Sequence, residues 1–181
     1  YKRWVDQIDL GICPNEWYGD IYKKWSSRPD TVIVIDHPAV DEARQIKKEK
    51  PYDVPKNSPY QIAIVGQIIG TLNVAAGIFL QTEILPELER QGLSEKYEFV
   101  LIGSGDPTPE MKNLISCPNV KCLGFVENLA EVVNSSDAVL QAMPYAPGVG
   151  ARLSTITAMS PALIVHKVVV DSMSEFVPGI N

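Results

Sequence analysis

Gly148 and Gly150 flank a single valine, and Arg152 follows at the head of an apolar-periodic run, "GVGARLSTITAMS" over residues 148–160. Glycine ahead of a helix leaves the free N–H groups of the first turn accessible, and lets an anion approach the backbone closely. The helix dipole adds about half a positive charge at that end, and an arginine can fork onto phosphate oxygens. The stretch therefore reads either as a diphosphate cradle built from Gly148, Val149, Gly150 and Arg152, or as a tight turn with a surface arginine. A binding helix of this sort often carries an acid one or two turns in, to hold sugar hydroxyls. Here that region is Ser154, Thr155, Ile156 and Thr157.

Other chemistry is thinner. "GSGDPT" (103–108) begins like a dinucleotide fingerprint but has Thr108 where the third glycine belongs, so a plain strand-to-helix turn is the better reading. His37 and His166 have no Cys, Asp or Glu at ligand spacing, apart from Asp36 and Asp41 beside His37. No metal site and no catalytic histidine is expected from them. No G-x-S-x-G elbow is present, which argues against that class of hydrolase. Cys117 and Cys122 have four residues between them, and Cys13 is remote; this is neither a zinc spacing nor an even disulfide count. They read as buried or half-buried thiols of a reducing compartment.

The elements that must position these residues alternate. Strand-like runs fall at 8–14, 30–36, 61–67, 97–105, 119–126, 137–145 and 162–170. Helix-like runs fall at 16–25, with Trp17, Ile21 and Trp25 on one face, and at 73–91, broken or kinked near Pro86. Further helices are expected at 109–116, 127–136 and 150–160. The run "DTVIVID" (30–36) is continuously apolar, as in a strand covered on both faces. Residues 41–59 are charged, hold three prolines and read as a surface connector. Strict alternation of apolar strands with helices predicts an α/β fold, an open and mostly parallel sheet with helices on both faces. Ligands of such sheets bind beyond the carboxyl ends of the strands. Gly66 and Gln67, Gly103, Gly124 to Val126, and the 148–152 loop each follow a strand, so they should converge on one edge.

The chain of 181 residues is long enough for one sizeable domain or a domain with part of another. Its net charge of −6 gives it no electrostatic reason to seek nucleic acid, and no run approaches the roughly 18 apolar residues of a membrane span. The sequence starts at Tyr1 and stops at Asn181 just after a strand-like run, so both ends read as cut from a longer protein.

The stretch "YEFVLIGSGDPTPEMKNLISCPNVKCLGFVENLAEVVNSSDAVLQAMPY" (97–145) resembles the donor-binding, C-terminal half of the GT-B glycosyltransferases of the retaining group 1 or family 4 kind. "GVGARLSTITAMSPALIV" looks like that family's glycine loop and last helix, and "GTLNVAAGIFLQTEILPEL" is similar to an earlier helix of one subgroup. "IDLGICPNEWYGDIYKKW" and "VIVIDHPAVD" look like the end of the N-terminal acceptor domain. The resemblance implies half of a GT-B fold, with a Rossmann-like sheet. Residues 1–45 would be the remnant of the acceptor domain and the crossover, 46–60 a linker, and 61–181 the nucleotide-sugar donor domain.

By the same resemblance Phe125 and Val126 would meet the base, and Gly148, Val149, Gly150 and Arg152 the diphosphate. Gly66, Gln67 and Gly103 would line the donor edge, and Thr157 would stand where the family places a ribose-binding glutamate. The catalytic residue is not assigned. The implied reaction moves a sugar from a nucleoside diphosphate to a glycan or small-molecule acceptor, as in polysaccharide biosynthesis, with no separate cofactor and no tightly held metal. The implied place is the cytoplasm, with peripheral association at the inner membrane face through the N-terminal domain if the acceptor is lipid-linked. Gln67 replaces an arginine, no lysine lies between residues 57 and 95, and Ser154 and Thr157 replace a lysine and the glutamate. These departures leave two alternatives open: a catalytically degenerate subunit or scaffold, and another nucleotide-binding α/β enzyme such as an epimerase or dehydrogenase. Residues 1–181 by themselves are expected not to turn over.

Overall fold

The computed structural model describes residues 5–13, 16–35, 59–142, 156 and 162–167. At the amino end, strand β1 (Gly11–Cys13) and strand β2 (Val32–Val34) form a two-stranded parallel sheet, with helix α1 (Glu16–Trp25) between them in sequence. Helix α1 packs on both strands, and the unit is fastened by Asp6. Its carboxylate accepts from the Ser27 backbone N–H at 2.7 Å and the Ser27 hydroxyl at 2.8 Å. Arg28 Nη2 donates to the Ile8 carbonyl at 2.9 Å.

The expectation that 30–36 is covered on both faces fails. Val32 is buried, but its neighbours Ile33 and Ile35 are 38% and 51% exposed. Among the described residues strand β2 has one partner strand, in register Ile12↔Ile33, and Ile12 beside it is 61% exposed. An apolar run records that both faces can be buried, not that both are.

The remaining described residues build a five-stranded sheet from β3 (Tyr60–Val65), β4 (Tyr97–Ile102), β5 (Val120–Gly124), β6 (Ala138–Gln141) and β7 (Leu163–Val165). Every pairing is parallel, and the order is β5-β4-β3-β6-β7. Strand β3 is central, and the chain switches from one side of it to the other between β5 and β6. That is the topology in which a crevice opens at the carboxyl ends of the central strands.

Both faces of the central strands are covered, which explains why β3 and β4 carry the unbroken apolar runs 62–65 and 99–102. On one face Ile62, Ile64, Phe99 and Leu101 pack with Ala76 of helix α2 (Thr71–Phe79) and with Met111 and Leu114 of helix α4 (Pro109–Ile115). On the other, Ala63, Val65, Val100, Ile102 and Val139 pack with Val133 of helix α5 (Leu129–Ser135) and with Ile156.

The long helix is not broken at Pro86. Helix α2 passes through a π turn (Leu80–Ile84) into helix α3 (Leu85–Arg90). Leu85 N–H reaches the Leu80 carbonyl, five residues back. Proline has no N–H, and its ring collides with the carbonyl four residues earlier. A widened turn immediately before Pro86 accommodates both effects. The helix ends in a Schellman motif, with Leu93 N–H on the Leu88 carbonyl at 2.8 Å and Gly92 N–H on the Glu89 carbonyl at 2.9 Å. Gly92 supplies the left-handed φ of +67° that this ending requires.

Polar side chains set the register at the amino ends of the strands. Asp137 N–H donates to the Gln61 carbonyl, and the Asp137 carboxylate accepts the Gln61 N–H, both at 2.8 Å. Lys121 on β5 pairs with Glu98 on β4 at 2.7 Å, and Gln61 Nε2 reaches the same carboxylate at 3.2 Å. No helix among the described residues is long and apolar enough to cross a membrane.

Candidate active site at the carboxyl edge of the sheet

Of the residues singled out from the sequence, Gly66, Gln67, Gly103, Phe125 and Val126 fall just beyond three neighbouring strands, β3, β4 and β5. Gly148, Val149, Gly150, Arg152 and Thr157 lie outside the described residues. Of the expected helix at 150–160 only Ile156 is described; it is helical and buried against the β3 face of the core.

The glycines at this edge are there because protein meets protein. A Cβ on Gly103 would fall within the van der Waals radius of the Gly66 carbonyl oxygen, 2.5 Å from that carbonyl carbon. A Cβ on Gly66 would collide with the side-chain amide of Asn73, 2.5 Å from its Cγ. The two strand ends are therefore pressed together. Gly66 N–H donates to the Ile102 carbonyl at 2.8 Å, Ile68 N–H to the Ser104 carbonyl at 3.0 Å, and Gly103 N–H to the Gly124 carbonyl at 2.8 Å. These bonds carry the parallel ladder past the last strand residues and lock three turns into one rim.

Asn73 is the residue at this edge that sequence reasoning missed. Asn73 Nδ2 donates to the Gln67 carbonyl at 2.6 Å, and Gly70 N–H donates to the same oxygen at 3.0 Å. The available signal was an asparagine in the first turn of a helix, a residue type that favours local side-chain-to-backbone bonding there. Gly70 is the residue before α2 and offers no side-chain cap. Thr108, where a dinucleotide fingerprint needs glycine, instead caps α4, its hydroxyl oxygen accepting from Met111 N–H at 3.4 Å. Glu110 beside it is held below the usual carboxylate range by its own backbone N–H and by the Thr108 hydroxyl.

Strand β5 ends differently from its neighbours. Leu101 pairs with Cys122 and Ile102 with Gly124, so Leu123 is an extra residue and the strand bulges at its carboxyl end. Gly124 then takes φ +67° and Phe125 emerges 74% exposed. Val126 is half-buried and packs into the core beneath. An aromatic ring left in water beside a glycine rim is suited to stacking on a planar ligand.

His166 follows β7 and lies edge-on to Phe79 of α2, ring centroids 5.3 Å apart, a packing contact between the sheet end and the helix. His37 lies outside the described residues. No cluster of three metal-ligating side chains occurs among the described residues. The expectation of buried or half-buried thiols is corrected at Cys122, which is exposed because β5 is an edge strand; Cys13 is buried and Cys117 half-buried, and all three are free. A cleft of about 810 Å³ opens at the opposite, amino edge, over Leu85, Pro86 and Tyr97 and beside Glu89 and Glu95. Its acidic rim makes it unsuited to a diphosphate.

Residues 59–178 match the family of group 1 glycosyl transferases. A glycosyltransferase from Rickettsia africae superposes with a TM-score of 0.58 at 15% identity, covering 91% of this chain and 47% of its own. Anabaena Alr3699/HepE, solved in complex with UDP and glucose, gives 0.54 at 12% identity, covering 90% and 46%. An S. aureus TarM mutant, in complex with fondaparinux, alpha-GlcNAc-glycerol and UDP, gives 0.51 at 12% identity, covering 93% and 32%. The chain thus spans about half the length of the first two. No curated protein matches it. With five parallel strands, helices on both faces and a matched region that includes the whole glycine rim, the chain belongs to the group 1 glycosyl transferases and carries a GT-B-type α/β domain.

Proposed function

We propose that residues 61–181 form the donor-binding domain of a retaining glycosyltransferase, residues 46–60 a linker, and residues 1–45 the end of an acceptor domain. The whole protein would transfer a sugar from a nucleoside diphosphate to a glycan or small-molecule acceptor. The observation that carries this reading is the joined rim of Gly66, Gln67 and Gly103 beside the exposed Phe125. Phe125 would stack on the base, and the rim would lie along the donor. The 148–152 loop would supply backbone N–H groups and Arg152 to the diphosphate. Charge that develops on the leaving group is then stabilised by fixed dipoles and one guanidinium. UDP bound to Anabaena HepE and to S. aureus TarM supports a uridine donor as the first to try.

The test is a thermal-shift titration with UDP, GDP, ADP and NAD. A ligand that binds only the folded chain raises Tm with the logarithm of its concentration over Kd. A rise with one nucleoside diphosphate supports the donor site. A rise with NAD alone would overturn it in favour of a dinucleotide enzyme. No rise with any at millimolar ligand favours the degenerate-subunit reading, which Gln67 in place of arginine also supports.

A further inference from the structure

We propose that Asn73 is a positioning residue for the diphosphate edge, a role that rests on the donor-site reading above. The peptide unit between Gln67 and Ile68 is held from both ends. Its carbonyl oxygen accepts from Asn73 Nδ2 at 2.6 Å and from Gly70 N–H at 3.0 Å, and its N–H donates to the Ser104 carbonyl at 3.0 Å. One peptide plane thereby joins the first turn of α2, the end of β3 and the turn after β4. A carbonyl oxygen has two lone pairs, and both are taken by protein donors. That oxygen is not presented to an anion at the rim. Without Asn73 one lone pair is freed, and the peptide can turn its negative end outward, toward the ligand phosphates.

Gly66 is part of the same device. The space its Cβ would occupy is filled by the Asn73 amide, so the strand end and the helix side chain interlock. Asn73 acts through the Gln67–Ile68 peptide and not on the donor directly.

The test is calorimetric titration of the full chain and of Asn73→Ala and Asn73→Asp with UDP, GDP and ADP, and with the matching uncharged nucleosides. Loss of one neutral hydrogen bond sets the expected weakening of diphosphate binding by Asn73→Ala at about 3- to 10-fold. Asn73→Asp sets a carboxylate against a carbonyl oxygen and weakens it further. Nucleoside affinity stays unchanged, a split that general loosening of the fold does not produce. Native-state hydrogen exchange at Ile68 N–H rises in both variants. If Asn73→Ala does not fold, Asn73→Ser, which keeps a short donor, carries the same comparison. Equal losses for nucleoside and diphosphate, or unchanged diphosphate affinity, would overturn the role of Asn73 and leave the donor site standing. Failure of the unaltered chain to bind any of the three diphosphates overturns the donor-site reading, and this proposal with it.

Discussion

Replacing Gly103 by alanine tests the rim directly. The added Cβ would overlap the Gly66 carbonyl oxygen and sit 3.2 Å from the Gln67 nitrogen, both backbone atoms of the central strand's end. No rotamer change relieves a clash with backbone, so β3 and β4 must separate at their carboxyl ends. Overpacking of this kind costs about 1–3 kcal/mol. Separation also breaks the Gly66-to-Ile102 and Ile68-to-Ser104 hydrogen bonds, each worth about 1 kcal/mol. The expected loss is therefore about 3–5 kcal/mol, or roughly 6–20 °C in Tm for a chain of this size. Urea unfolding with a fitted m-value reads it, and Gly124→Ala is the control. Gly124 has a left-handed φ of +67° and no atom within 4 Å of a built Cβ, so its cost is only the conformational strain of about 1–2 kcal/mol. If Gly103→Ala proves no more destabilising than Gly124→Ala, the close approach of the two strand ends is not real and the rim argument fails.

Phe125→Ala should leave stability within about 0.5 kcal/mol, since the ring is 74% exposed. Under the proposed function it weakens nucleoside and nucleoside diphosphate alike by about tenfold, the scale of one base–aromatic stack; unchanged binding removes Phe125 from the site. The Glu87 carboxyl is held below its ordinary range by hydrogen bonds from Arg90 and then Gln91. A depressed carboxylate contributes stability above its unfolded pKa and loses it as pH falls through the folded value. Arg90→Gln should therefore raise the Glu87 pKa in an NMR titration and flatten the acid-side loss of α3 helicity. An unmoved Glu87 titration refutes the assignment.

The sheet was legible because both its faces are covered. Ile62 and Ile64 bury on one side and Ala63 and Val65 on the other, so β3, like β4 beside it, ends in an unbroken apolar run followed by glycine. The same signal misled at Ile33 and Ile35, where composition reports capacity for burial and tertiary neighbours decide it. Pro86 marked a disturbance correctly, but hydrogen bonding settled its form as a widened turn five residues long. Gly66, Gln67, Gly103, Phe125 and Val126 could be named from position after a strand. Why position 103 must be glycine could not, because the clashing backbone atoms belong to Gly66, 37 positions away in sequence. Asn73 was hidden for a related reason: an asparagine in a first helical turn signals local bonding to backbone, but not which carbonyl it reaches.

The strand order also bears on how the chain folds. Gln61 bonds across to Glu98 over 37 residues on one side of β3, and to Asp137 over 76 residues on the other. Doubling a loop adds about 0.6 kcal/mol of closure entropy, and more distant pairings form more slowly. The β3-β4-β5 side is therefore favoured to assemble first, with β6 and β7 docking onto a formed edge of β3. Gly66, Gly103 and Phe125 all belong to that more local half, so the rim is built from the strand pairings of shortest sequence separation.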